Sequence, residues 1–133
     1  MATGAIARPA HEAAAYRGLL AWLLTTDHKK IGIMYLIFTV LFFFTGGVLA
    51  LLVRAQLAWS NTGLFSQHAY NQFFTMHAST MLFLFVIPVG AGFGNFFLPL
   101  MIGAKDMAYP RINAFALWLI PLAGLIMFSS FFV

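Results

Sequence analysis

The sequence predicts an all-α membrane protein, because it is strongly hydrophobic, carries few charged residues and contains three long uncharged runs. Of 133 residues, 62% are hydrophobic and only 8% are charged, whereas a soluble domain is about one quarter charged. Three uncharged runs, at residues 31–53, 73–102 and 114–133, are long enough to cross a hydrocarbon core of about 30 Å as helices. The sequence contains no cysteine, which excludes disulfides, zinc–cysteine sites and iron–sulfur clusters. We therefore expect residues 31–133 to form a membrane domain of up to three transmembrane helices.

Residues 1–30 are predicted to form an N-terminal cytoplasmic segment. The stretch 10–24 contains His11, Glu12 and Arg17 and has no apolar core of signal-peptide length. It fits either a short amphipathic helix on the membrane surface or a partly ordered tail, and the sequence leaves both open.

The basic residues predict the orientation. Four of the seven Lys and Arg residues precede the first span, Arg54 alone lies in the 54–72 connection, and Lys105 and Arg111 lie in the 103–113 connection. Because cytoplasmic connections are enriched in Lys and Arg, we expect the N-terminus and the 103–113 connection inside. The net charge of +4 comes from these connections and forms no basic face, so nucleic acid is not an expected partner.

Two positions inside the second span carry the most information. His77 is an ionisable residue within a span, which is costly in lipid and is by default a functional hypothesis. Neutral imidazole commonly binds metals and haem iron, and the alternative is a packing histidine bonded to a neighbouring helix. Pro88 removes the backbone donor to the Leu84 carbonyl and predicts a bend.

Polar residues near the span ends are the other candidates. Arg54 is either a headgroup anchor or a donor of two hydrogen bonds to a formyl or carboxylate oxygen, at the membrane level of His77. Asp106, the only acid after residue 27, is either a solvated loop carboxylate or a proton collector. In the second case Asn95 and Asn113 could hold ordered water above it, because buried amides need partners.

Several long runs resemble subunit I of the haem–copper terminal oxidases. They are residues 26–32 (TDHKKIG), 53–57 (VRAQL), 74–81 (FTMHASTM), and 92–95 (GFGN) with 99–111 (PLMIGAKDMAYPR). They follow in the family's order and spacing. The resemblance implies a bundle of twelve membrane helices, of which this sequence holds up to three. We expect the remaining part of subunit I to come from a longer chain or a separate one.

The resemblance also implies roles for single residues. His77 corresponds to an axial ligand of a low-spin haem, expected to be haem a, and Arg54 to the arginine that bonds its formyl group. Asp106 corresponds to the mouth of a proton pathway, and Asn95 and Asn113 to its polar lining. No catalytic residue and no ligand of the high-spin haem or copper has a match here, so both are expected elsewhere in the complex and this portion alone is expected to be inactive.

Four other residues carry weaker expectations. His11, His28 and His68 fall in a tail or a connection and match no ligand of the family, so we expect them to be solvated. Gln56 stands where family members often carry Glu near an outer calcium or sodium site. A neutral amide attracts a hard cation less strongly, and that metal is not predicted.

The function implied is part of the catalytic subunit of a cytochrome c oxidase, a complex that reduces O2 to water and pumps protons. Its expected partners are the rest of subunit I, the copper-bearing subunit II, subunit III, cytochrome c and membrane lipid. Among the positions matching a quinol site, only Gln72 fits; the others are Thr45, Leu49 and Ala69. The alternatives are a quinol oxidase subunit I, a non-catalytic assembly or structural subunit, and a b-type cytochrome that shares a haem between copies. The alanine-rich N-terminus favours a bacterial plasma membrane over the mitochondrial inner membrane.

Overall fold

A computed structural model describes residues 18–58 and 63–132 of the chain, and these residues are helical apart from short connections. The elements are α1 (Leu19–Leu23), α2 (His28–Gln56), α3 (Gln67–Ser79), a π-helical segment (Thr80–Val86), α4 (Ile87–Met101), α5 (Pro110–Ser129) and a closing 3-10 turn (Ser130–Phe132). Within these ranges three helices are long and apolar enough to cross a membrane: His28–Gln56, Gln67–Met101 and Pro110–Phe132. The predicted class, an all-α membrane protein, is confirmed.

The short helix α1, which precedes the first span, is hydrogen-bonded to the last span, α5. The stretch 10–24 was expected to be either a helix or a tail. Its residues 10–17 lie outside the described residues, and α1 occupies most of residues 18–24. Leu19 of α1 is 82% exposed. The indole Nε1–H of Trp118 on α5 donates a 3.2 Å hydrogen bond to the carbonyl of Leu23. Placement of α1 at a membrane surface stays a prediction.

Side-chain caps fix where α2 and α3 begin. The Asp27 carboxylate accepts from the backbone N–H of Lys29 at 3.0 Å, and the Ser66 hydroxyl accepts from Ala69 at 3.2 Å. Each satisfies one of the backbone donors that a helix leaves unpaired in its first turn. Because Asp27 is the cap, α2 starts at residue 28, before the uncharged run that predicted the span.

α4 ends in a Schellman motif. Gly103 has a φ of +70°, and its N–H donates to the Leu100 carbonyl at 3.3 Å, while the N–H of Ala104 donates to the Pro99 carbonyl at 2.9 Å. The motif turns the chain sharply at the C-terminal end of the helix. It thereby places the short connection that carries Asp106 beside the start of α2.

The second long helix changes geometry in its middle. Between Thr80 and Val86 the chain is π-helical, and at its end the N–H of Ile87 donates to the carbonyl of Leu82, five positions earlier. Pro88, which has no backbone N–H, follows in the first turn of α4. The bend expected at Pro88 stays a prediction. The structure adds a wider, π-helical turn on the N-terminal side of Pro88. This turn changes the rotational phase of α3 relative to α4.

α2 packs against α4 through glycines. A Cβ atom at Gly32 would lie 3.1 Å from the Gly92 carbonyl oxygen and 3.0 Å from Phe96 Cβ, and one at Gly92 would lie 3.0 Å from Tyr35 Cβ. Only residues without a side chain let the two backbones come this close. The core beside this contact consists of Ile31, Met34, Tyr35 and Leu117.

Replacing Gly92 by Ala is expected to lower the free energy of unfolding by about 1–3 kcal/mol, the usual cost of overpacking. The new Cβ would press on Tyr35 Cβ and on Leu36 Cδ2, 3.1 Å away. Unfolding of the purified chain in detergent micelles measures the loss. Gly90→Ala is the control, since a Cβ at Gly90 meets nothing within 4 Å. An equal loss in both variants would contradict the packing argument.

Candidate functional site

His77 is anchored to α2 through one ring nitrogen. It lies in the last turn of α3, its ring is half-buried, and its Nδ1 is 2.9 Å from the carbonyl oxygen of Gly46. A carbonyl only accepts, so Nδ1 carries the proton and donates it. Nε2 keeps its lone pair and has no hydrogen-bond partner within residues 18–58 and 63–132. This is the state in which a neutral imidazole binds a metal or haem iron, so the residue fits that role.

The contact between His77 and α2 lies where a side chain at position 46 would have little room. A Cβ at Gly46 would lie 2.7 Å from Met81 Sδ and 3.4 Å from Thr80 Cγ2. Both neighbours begin the π-helical segment, which therefore lies directly against α2. A carbonyl oxygen has two lone pairs, so Gly46 can accept from His77 while it remains in its helix.

Arg54 lies farther out along α2. It is exposed in the last turn of that helix, and its side chain has no hydrogen-bond or ion-pair partner in the described part of the chain. Eight residues separate it from Gly46, or about 12 Å along a helix axis. The expectation that Arg54 and His77 lie at one membrane level stays a prediction. Helical side chains tilt toward the helix N-terminus, which for Arg54 is the direction of Gly46.

Asp106 and His28 form a pair at the opposite end of α2. His28 Nδ1 lies 3.3 Å from Asp106 Oδ1, and the same oxygen accepts from the backbone N–H of Met107 at 2.9 Å. His28 is only 3% exposed, so the expectation that it is solvated is wrong. The reason is that His28 is the first residue of a helix, not part of a connection, and its ring turns inward toward a carboxylate 78 positions later in the sequence.

The two asparagines form hydrogen bonds of their own and none to this pair. Asn95 is 8% exposed; its Nδ2 donates to the Ala91 carbonyl at 2.8 Å, and its Oδ1 is buried without a partner among the described residues. Asn113 Nδ2 donates to Met107 Sδ at 3.1 Å. A buried amide oxygen of this kind is a natural acceptor for ordered water.

The other predicted histidines have different outcomes. His68 is exposed in the first turn of α3, which confirms the expectation that it is solvated. His11 belongs to residues 1–17, outside the described part of the chain. Two functional contacts were missed from sequence: the carbonyl of Gly46 and the ring of His28. The small, uncharged residue at position 46 is the only sequence feature that favours the Gly46 contact. No neighbouring residue in the sequence indicates that the His28 ring is buried.

The His77–Gly46 hydrogen bond is testable by itself. Gly46→Ala should displace Met81, loosen the contact, and speed exchange of the His77 ring N–H with solvent by roughly tenfold, the equivalent of one hydrogen bond. The measurement is the ring ¹⁵N–H resonance of the labelled chain in micelles. Gly47→Ala is the matched control, because a Cβ there meets nothing within 4 Å. Unchanged exchange in Gly46→Ala would rule out the assigned bond.

These features define a helical membrane protein with a ligand-competent histidine toward one end and a carboxylate–histidine pair at the other. The chain belongs to the cytochrome c and quinol oxidase polypeptide I family, whose model matches residues 30–133.

Curated relatives agree with this assignment. The chain is 47% identical to cytochrome c oxidase subunit 1 of Corynebacterium efficiens over 126 residues, which cover 93% of this chain and 22% of that protein. It is 48% identical to the Halobacterium salinarum polypeptide 1 over 116 residues (87% and 20%) and 49% identical to the Synechocystis subunit 1 over 107 residues (80% and 19%). The chain therefore spans about a fifth of the length of these relatives and matches the N-terminal portion of subunit I.

Proposed function

We propose that this chain is part of the catalytic subunit of a cytochrome c oxidase, where it holds the low-spin haem through Nε2 of His77. The observation that carries the proposal is the hydrogen bond from His77 Nδ1 to Gly46. It fixes the ring orientation and tautomer, as outer partners of ligating histidines do. When bound, the haem, expected to be haem a, supplies reversible one-electron transfer.

Arg54 has a supporting role in this proposal. Its guanidinium can reach back along α2 toward Gly46, because helical side chains tilt toward the helix N-terminus, and can donate two parallel hydrogen bonds to a formyl oxygen. A fixed cation at that position favours the reduced, more electron-rich state of the group that it contacts. The exposure of Arg54 within the described residues leaves its donors available for this contact.

We assign proton uptake to the opposite end of α2. Asp106 is half-buried there, and its Oδ1 is held by Met107 and His28 while the carboxylate remains reachable from the aqueous side. The buried Oδ1 of Asn95 can accept from water deeper in the helix pair, and Asn113 lies beside the same connection. Together these groups favour transfer of a proton from the surface inward.

The orientation follows from the charges at this end. Lys29, Lys30, Lys105 and Arg111 lie in the same region as Asp106, which supports its placement on the cytoplasmic side. We propose a bacterial plasma membrane, with residues 1–30 as a cytoplasmic segment followed by the membrane domain. Exposed apolar side chains along α2, α4 and α5 are available to lipid and to the rest of subunit I.

The proposed complex includes components that this chain does not supply. The second axial haem ligand, the high-spin haem and the copper ligands belong to the remaining part of subunit I. Subunits II and III and cytochrome c are the proposed protein partners. The relatives above are all named cytochrome c oxidase, and Thr45, one of the positions matching a quinol site, donates its hydroxyl to the Leu41 carbonyl at 2.9 Å. Both observations favour cytochrome c over quinol as the electron donor.

Substitution of His77 by Ala in the complete oxidase should abolish the low-spin haem band in a reduced-minus-oxidised visible spectrum, because the variant lacks the imidazole that would hold the haem iron. The exposed His68 provides the matched control, and His68→Ala should leave the band unchanged. A normal band in His77→Ala would mean that the residue only packs, as in the alternative of a structural subunit.

Substitution of Asp106 by Asn should slow turnover and proton uptake by roughly 100-fold or more, the scale of losing a positioned proton donor or acceptor. The amide keeps the shape of the side chain but cannot exchange a proton. The haem spectrum should stay intact, which separates this effect from misfolding. Asp106→Glu should restore most of the rate, and full turnover in Asp106→Asn would exclude the assigned role.

A further inference from the structure

His28 is buried in an unusual electrostatic setting. Its side chain is 4% exposed, and its Nδ1 lies 3.3 Å from Asp106 Oδ1 and 3.9 Å from Asp27 Oδ1. Carboxylate oxygens only accept, so Nδ1 carries a proton and points it between two acids. The Asp27 carboxylate already caps α2 through Lys29. The shorter contact, to Asp106, is therefore the one that His28 serves.

The geometry of Asp106 depends on this contact. Its Oδ1 receives two donors, the His28 ring and the backbone N–H of Met107, whereas its Oδ2 has no hydrogen-bond partner among the described residues. The Met107 bond comes from the neighbouring residue of the same connection. The His28 bond comes from the start of α2, and it ties one carboxylate oxygen to another helix while the second oxygen stays open.

Packing alone does not account for a histidine at this position. The Nε2 of His28 is buried without a hydrogen-bond partner in the described ranges, and an unpaired buried polar atom is destabilising. An apolar side chain would fill the same volume without that cost. What a histidine adds is the Nδ1 donor toward Asp106.

We propose that His28 is a positioning residue for Asp106. Its Nδ1–H holds Oδ1 against the protein, so that Oδ2 is presented to water as the atom that takes up the proton. The inference rests on the proposed role of Asp106 in proton uptake, and it adds a residue from the start of α2 to that site.

Two amide variants test which nitrogen matters. In Asn the donor is bonded to Cγ, as Nδ1 is in His, whereas in Gln it lies one bond farther out, near the place of Nε2. In the complete oxidase, His28→Gln and His28→Leu should slow proton uptake during reoxidation by roughly tenfold, the equivalent of one charge-assisted hydrogen bond. His28→Asn should stay within about twofold of the unsubstituted enzyme.

A spectroscopic readout accompanies the rates. The carboxyl infrared band of Asp106, assigned by its loss in Asp106→Asn, should shift in His28→Gln and His28→Leu and keep its frequency in His28→Asn. The visible haem spectrum should be unchanged in all three His28 variants. Because Asn and Gln are both polar and similar in size, their comparison carries the test even if the His28→Leu variant does not fold.

The outcomes separate the two proposals. Normal proton uptake in Asp106→Asn would overturn the role of Asp106 itself. Slow uptake in Asp106→Asn with normal rates and an unshifted band in the His28 variants would overturn the positioning role alone. Equal loss in His28→Asn and His28→Gln would also overturn it, because the effect would not follow the Nδ1 donor.

Discussion

The close approach of α2 to the second long helix is the contact on which both polar ends of this chain depend. Gly32 faces Gly92 at one level, and Gly46 faces Thr80 and Met81 at another. In lipid the hydrophobic effect does little to join helices, and close packing with interhelical hydrogen bonds supplies most of the association. Glycine serves both purposes here, since it brings the backbones together and exposes the Gly46 carbonyl to the ring of His77.

A single helix then sets the spacing of the two candidate sites. His28 begins α2 and Gly46 lies 18 residues later, a separation of about 27 Å along the axis. That length is close to the thickness of a bilayer's hydrocarbon core, about 30 Å. The Asp106–His28 pair and the Gly46 carbonyl that holds His77 therefore lie far apart along α2. Such a separation is consistent with the proposal that a proton enters at one end of the helix and that a haem is held toward the other.

The sequence predicted the elements better than it predicted the contacts between them. Uncharged runs revealed three spans, because the cost of burying charge in lipid leaves a strong signal in composition. The helices begin earlier than those runs, since the Asp27 cap and the polar first turn of α3 carry no apolar signal. His77 was identifiable as an ionisable residue inside a span. The backbone acceptor at Gly46 was not, because every residue has a carbonyl and only packing decides which one is reached.

His28 shows a second reason for the missed contacts. Its neighbours in sequence are charged, which is typical of a solvated connection, and its burial depends on a loop 78 positions away. The position of that loop depends in turn on the Schellman motif at Gly103 and on the packing of α4 against α2. The His28–Asp106 contact therefore depends on the loop, on the Schellman motif and on helix packing, and none of these is visible in the sequence around His28. The π-helical segment is similar, because its wide turn reflects the fit of Thr80 and Met81 against Gly46.

His77, His28 and Asn95 share one arrangement of polar atoms. One polar atom of each side chain is hydrogen-bonded to the protein: to Gly46, Asp106 and Ala91 respectively. The second polar atom of each has no hydrogen-bond partner in the described residues. A side chain held at one end loses little further freedom when the other end binds, so binding there costs less entropy. In a membrane interior, an apolar residue would satisfy packing without an unpaired polar atom. The repeated pattern therefore supports the proposed roles, in which His77 holds a metal, Asn95 accepts from water and His28 positions Asp106.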